Sequence, residues 1–436
     1  MLLAAGFVAC GDDDVDVDKD AAAVAAETAT TMARVTTESA EVDTAGAALA
    51  AAFEFAQCMR DNGIEDFSDP QIRGDGDFFL SPPGDVDDEE LKVADEACAH
   101  IAAVFRTDSG TATTTNDVAA AWERIVPGGE CQCADGSEFS FWVREANPNK
   151  VLVYFQDGGA CFSAETCAPD SDGYSTTAEG PSGAGGIFDF ADERNPFADY
   201  SVVYVPYCTG DVHLGNTTTE YAADLTVHHN GFVNGTAALN YVAANAPGAT
   251  DVVVAGESAG SIAAPLYAGL VSDRLPDARI TVFADGSGSY PDVPVLHEMI
   301  ADWGFGTGVP PWLASASSTG EQWSFPMLYI ESGRHDPDIV FARHDYAYDE
   351  TQQRWNSIAG VSAADLLSLI DANETLVEAA GVNLFSYIAP GNEHTALSDG
   401  TFYTEEINGQ PLRDWVTRLV ERGPVEDVHC TDCTTS

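Results

Sequence analysis

Residues 252–270 read VVVAGESAGSIAAPLYAGL, and the fold turns on them. A β-branched apolar run leads into small residues around Ser258, and a helix-like pattern carrying Pro265 follows. Gly256 to Gly260 fits G-x-S-x-G, the pattern of a serine held on a tight strand-to-helix turn. Small residues are common, so the pattern alone carries little weight. The strand before it and the helix after it give it meaning. Glycines on both flanks remove side chains that would clash in the turn. The hydroxyl then stands at the strand's C-terminal end, near the positive end of the next helix. Ser258 is thus the candidate nucleophile, against the plainer reading of an ordinary βα turn.

Working outward, further β-type runs occur at KVLVYFQ, YSVVYVPYC and ARITVFADGS, with helix-like stretches such as HHNGFVNGTAALNYVAANAP between them. Apolar strands alternating with helices predict an α/β fold, a mainly parallel sheet covered by helices on both faces. VLVYFQDGGACF offers a strand followed by Gly158 and Gly159, where the chain must turn with bare backbone N–H groups. With the N–H of Ala259, and Ala160 as a further donor, these form a candidate oxyanion hole.

The 436 residues are 45% hydrophobic, enough for one large domain and a smaller one. With 18 basic against 71 acidic residues, the formal net charge is -53. Nucleic acid is excluded as a partner, since phosphate binding needs a basic surface. The lysines are only Lys19, Lys92 and Lys150, and so acidic a surface suits a salty medium that screens self-repulsion. Ten cysteines point to disulfides and an exported location. No run of 18 apolar residues is present, so a transmembrane helix is not expected.

Residues 1–10, MLLAAGFVAC, resemble the end of a bacterial lipoprotein signal peptide, of actinobacterial type. Acylation at Cys10 would hold the protein to a membrane without spanning it. The basic n-region is missing, and Phe7 stands where leucine is usual. Residues 11–53 form an acidic Ala/Thr-rich spacer. Residues 54–106 predict a small helical module with one cysteine at each end, Cys58 and Cys98, stapled by a disulfide. A linker at 107–120 precedes the main domain at 121–436.

Within that domain the chain resembles the pectin acetylesterase/Notum family of carboxylesterases, on the α/β-hydrolase fold. The resemblance rests on FQDGGAC, on NPFADYSVVYVPYCTGDVHLGN with Asn195, Pro196, Tyr207, Cys208, Asp211 and Gly215 in place, and on AGESAGS. Asp157 stands where most members have a third glycine, and Ala160 where plant members carry tryptophan. The family order implies Ser…Asp…His, with the acid in a D-x-x-Q pattern after an apolar strand. Asp336 and Asp338 in ESGRHDPD and Asp345 in HDYAYD are alternatives, but YDETQ selects Asp349. His394, on the loop after the strand-like LFSYIA, is the candidate base, with His429 as fallback. His228 and His229 are read as capping a helix, and His213 as a candidate cleft residue.

The cysteine pairs Cys131/Cys133 and Cys430/Cys433 could form a four-thiolate zinc site. Disulfides tying the start of the domain to its end are the preferred reading. Cys161 and Cys167 would close a tight loop, with Cys208 left over. No metal or cofactor is expected. The resemblance implies a serine carboxylesterase removing O-acetyl groups from a polysaccharide at the cell surface or outside it. Alternatives are a lipase- or depolymerase-type acyl hydrolase, or a binding protein that has lost catalysis.

Overall fold

The structure is a computed structural model describing residues 122–434 except 170, 172, 182–184, 318–322 and 364. In the N-terminal part it describes residues 55–60, 62–64, 67, 71–72, 78–79, 94 and 98. The chain divides into two compact units, Met1–Asn116 and Asp117–Ser436. The leader with Cys10, the spacer and the linker lie outside the described residues. No helix among the described residues is long and apolar enough to cross a membrane.

In the N-terminal unit, Phe55, Met59, Ile64 and Phe67 pack around Ala56, Ala94 and Cys98. The expected Cys58–Cys98 disulfide is present, joining positions 40 apart. Among the described residues this core is small, and covalent closure adds to it by restricting the unfolded chain.

The larger unit is built on a nine-stranded sheet. Its strands are β1 (Glu123–Ile125), β2 (Phe141–Arg144), β3 (Asn147–Phe155), β4 (Tyr200–Val205), β5 (Asp251–Glu257), β6 (Arg279–Asp285), β7 (Val340–Tyr346), β8 (Leu384–Ala389) and β9 (Val428–His429). Their order across the sheet is β1-β2-β4-β3-β5-β6-β7-β8-β9. The β1–β2 and β2–β4 pairs are antiparallel. Every other pair is parallel. The mainly parallel α/β sheet read from the apolar runs is therefore present.

Alternate residues of each strand feed two cores. Val151, Val153, Val252, Val254 and Val282 enter one, with helices α1 (Gly231–Asn245) and α2 (Ala259–Arg274) over them. Leu152, Tyr154, Val253, Phe283 and Tyr387 enter the other, under helix α3 (Leu412–Val420). This two-sided burial is why the strands are apolar throughout.

Two expectations are corrected. His228 and His229 do not cap α1; they end the second strand of a hairpin, Thr217–Ala222 with Leu225–His229. The disulfides do not join the domain's start to its end, because Cys131 and Cys133 follow β1 and Cys430 and Cys433 follow β9, at opposite edges of the sheet. The same separation rules out the four-thiolate zinc site. Cys133 pairs instead with Cys208, and Cys430 with Cys433, while Cys131 is free. Cys161 pairs with Cys167 as expected.

Candidate functional site

Ser258 follows β5 at φ 49° and ψ −117°. A positive φ is strained for a residue with a Cβ and needs support from its surroundings. The Ser258 N–H donates to the Asp285 carbonyl (2.8 Å), and Ser261 Oγ donates to the Ser258 carbonyl (2.7 Å). A Cβ on Gly260 would sit 2.0 Å from the Phe155 carbonyl, and one on Gly256 would sit 2.5 Å from the Gly260 backbone. The turn therefore requires both glycines of G-x-S-x-G.

The strand-end glycines after β3 are constrained in the same way. Gly159 has φ 77°, and a Cβ there would lie 2.1 Å from the Gly173 carbonyl. A Cβ on Gly158 would lie 2.3 Å from the Tyr207 ring. The N–H groups of Gly159 and Ala259 make no hydrogen bond among the described residues, whereas the Ala160 N–H donates to the Gly173 carbonyl (3.1 Å). Ala160 is thus withdrawn from the set of candidate donors.

Asp349 follows β7, is fully buried and caps helix α4 (Glu350–Ile358). The D-x-x-Q spacing acquires a physical reason here. Gln352 donates its backbone N–H to Asp349 Oδ1 and its Nε2 to Asp349 Oδ2, each at 2.9 Å. Asp349 Oδ2 also accepts from His394 Nδ1 at 2.7 Å. With Nδ1 donating, Nε2 is left as the basic nitrogen, and it has no partner among the described residues. Burial opposes charging of His394, but the Asp349 bond and the charges of Asp349, Asp285 and Asp157 overcome it, and the pKa is raised.

Ser258, His394, Gly158 and Gly159 line one cleft together with Asp157. Desolvation raises the Asp157 carboxyl, against the lowering pull of His394. The competing candidates fall elsewhere. Asp336 and Asp338 precede β7 and so lie at the opposite end of the sheet from Ser258. Asp345 is turned to the Gly288 N–H (2.7 Å) and Gln352 Nε2 (2.9 Å). His429 on β9 faces Asp371 at 3.5 Å. His213 is buried, with Nε2 2.9 Å from the Gln156 carbonyl, and desolvation lowers its pKa to about 4.

Three buried ionisable residues beneath the site were not singled out in the sequence. Glu257, Asp285 and His344 stand in register across β5, β6 and β7. Asp285 Oδ2 accepts from the backbone N–H groups of Ala396 and Leu397, at 2.8 and 2.9 Å. Glu257 Oε1 accepts from Ser398 N–H and Oγ, and its Oε2 accepts from Tyr154. Two carboxylates thus hold the three residues 396–398 that closely follow His394. Desolvation and the Asp285 charge raise Glu257 to about 7. His344 bridges Asp285 and Glu405 (2.7 and 2.8 Å); burial opposes its charge, yet the two carboxylates raise its pKa well above the ordinary value. The available signal was an acidic residue ending β5 and β6, while His344 lies inside β7, two residues before its end.

On the other side of Ser258 lies an apolar pocket lined by Phe162, Val212, Ile262, Met299, Trp303 and Phe325 among others. The site therefore has a polar side and an apolar side, with Ser258 and Gly159 bordering both.

A family model described as Pectinacetylesterase matches residues 125–301. Over 97 residues the chain is 31% identical to a palmitoleoyl-protein carboxylesterase notum2 of Xenopus laevis, a stretch covering 20% of this chain and 19% of that protein. Over 101 residues it is 30% identical to an inactive palmitoleoyl-protein carboxylesterase notum1b of Danio rerio, covering 22% of this chain and 73% of that protein. The match to the Xenopus relative thus spans only about a fifth of its length. The solved structure of the Wnt deacylase Notum from Drosophila superposes with a TM-score of 0.52 at 17% identity, over 72% of this chain and 97% of that one. At that identity the likeness bears on the fold, which is Notum-like α/β.

Proposed function

This chain belongs to the pectin acetylesterase/Notum family, and from that premise we propose that it is an exported serine carboxylesterase. The observation that carries this reading is the Asp349–His394 pair beside Ser258: a buried carboxylate on Nδ1, an Nε2 with no hydrogen bond to Ser258 or any other described residue, and a serine on a positive-φ turn in the same cleft. A binding protein has no use for that combination, although one relative is described as inactive, so the chemistry has to be measured.

In this reading His394 Nε2 takes the Ser258 proton as Oγ attacks the ester carbonyl. The oxyanion rests on the N–H groups of Gly159 and Ala259, with Gly158 shaping the turn. Asp349 stabilises the imidazolium without taking its proton. The alcohol leaves with the proton from His394, and water then releases the acyl group by the same steps in reverse. No metal or cofactor enters. Four disulfides suit an oxidising compartment outside the cytosol. Acylation at Cys10 would add a membrane tether.

For the acyl group, the family resemblance suggests acetyl on a polysaccharide. The apolar pocket favours a second reading, a longer acyl chain, since Phe162, Ile262, Met299 and Trp303 offer apolar surface beyond the reach of one methyl group. Stoichiometric labelling of Ser258 by a fluorophosphonate, absent in Ser258→Ala, tests the enzyme. Folded protein that resists labelling would overturn it. Rates across p-nitrophenyl esters of increasing chain length then decide between acetyl and longer groups.

A further inference from the structure

Arg354 lies on α4 and lines the polar cleft beside Ser258 and His394. Among the described residues it is the one lysine or arginine with neither a hydrogen bond nor an ion pair. Arg60, Arg124, Arg144, Lys150, Arg194 and Arg274 all have such partners. So do Arg279, Arg334, Arg343, Arg413, Arg418 and Arg422. In a chain with 71 acidic residues against 18 basic ones, an unpaired cation is the exception.

A ready partner is also kept away from it. Glu350 precedes Arg354 by four residues, the spacing at which a glutamate and a following cation pair on a helix. Glu350 Oε1 instead accepts from Asn392 Nδ2 at 2.9 Å. Arg354 stands near the Trp355 ring, 5.9 Å from its centroid. The same cleft contains the hydroxyls of Ser175 and Thr351, which make no hydrogen bond among the described residues. A guanidinium and two hydroxyl donors form a set suited to an anionic oxygen group. The apolar pocket on the other side of Ser258 suits an acyl chain, so this polar side would receive the alcohol.

We propose that Arg354, with Ser175 and Thr351, forms a subsite for an anionic group carried on the alcohol portion of the ester. The anion is a carboxylate or a sulfate-type group; both offer the paired oxygens a guanidinium engages. The inference rests on the esterase reading for what the cleft does, but not for the anion contact itself. It also bears on the net charge of -53, which repels anions at long range. The unpaired Arg354 offsets that repulsion locally, in a cleft whose one carboxyl is Asp157.

The test uses the full chain and three butyrate esters: 4-nitrophenyl butyrate, its 3-carboxy derivative and its 3-sulfo derivative. The readout is kcat/KM for each anionic ester divided by that for the neutral one. Arg354→Gln should lower this ratio about 10- to 100-fold, through KM, the range of a lost charge-assisted hydrogen bond. Arg354→Lys should restore part of it, and Arg354→Glu should lower it further. The two anionic arms separate carboxylate from sulfate recognition. A ratio unmoved in Arg354→Gln overturns the proposal, whatever the absolute rates. If the wild-type chain hydrolyses no ester and Ser258 resists labelling, the esterase reading falls. Calorimetric binding of 3-carboxy-4-nitrophenol to wild type and Arg354→Gln then decides the subsite: equal affinity overturns it, and weaker binding by the variant supports it.

Discussion

Two buried histidine–aspartate pairs among the described residues, both made through Nδ1, have nearly the same geometry. His394 Nδ1 meets Asp349 Oδ2 at 2.7 Å, and His344 Nδ1 meets Asp285 Oδ1 at 2.7 Å. They differ at the second nitrogen. His344 Nε2 is taken up by Glu405 at 2.8 Å inside the core, and the two carboxylates raise its pKa well above the ordinary value. His394 Nε2 is unclaimed and belongs to the cleft of Ser258. A buried carboxylate on one nitrogen is therefore compatible with scaffold as well as with chemistry. The vacancy on the other nitrogen separates the two.

Crossed substitutions would break that comparison most sharply. His394→Ala should lower ester hydrolysis by about 10⁶-fold, by analogy with loss of a triad base, with the smaller loss of stability, because Asp349 keeps both Gln352 hydrogen bonds. His344→Gln should instead cost about 3–5 kcal/mol of stability, because it strands two buried carboxylates, as read by denaturant melts. The comparison fails if the two variants exchange these effects. Next in size, Asp349→Asn should reduce kcat about 10⁴-fold by presenting the wrong tautomer, measured at saturating ester.

A smaller effect concerns the oxyanion side. Gly159→Ala should reduce kcat by about 10²–10³-fold, the range for loss of one oxyanion donor, since its Cβ meets the Gly173 carbonyl and must move the turn. The mildest test is pH. The two histidines share a direction of shift but report it differently. His394 must be neutral to act, so its raised pKa places the acid limb of kcat/KM above the ordinary imidazole value of about 6.5. For His344, a raised folded pKa means stability that is full below about 6.5 and lost as pH climbs through the folded value. Melting temperature should therefore fall on the alkaline side while activity per folded molecule holds.

Much of the candidate site is legible in the sequence. Ser258 was legible because its glycines are dictated by local backbone clashes. Asp349 was legible because Gln352, three residues on, is its direct partner. The competing Asp336 was excluded only by strand direction, which places it at the far end of β7. The row Glu257–Asp285–His344 went unread because register between strands distant in sequence creates it. The Cys133–Cys208 pairing depends on strand order too, which is why the sequence leaves Cys208 unpaired. The hairpin that holds His228 and His229 is hard to read in the sequence because its alternating pattern is weak, with Thr and Glu dominating its first strand.

The sheet's outer margins have a consequence for the molecule among its neighbours. One margin is the three-residue β1, and the other is the two-residue β9, followed at once by the Cys430–Cys433 ring. Margins this short offer a second chain almost no backbone to pair with. Behind β9 lies β8, six residues long and largely apolar. Removing residues 428–434 would bare that strand, and material that had been freely dispersed would be expected to associate edge to edge.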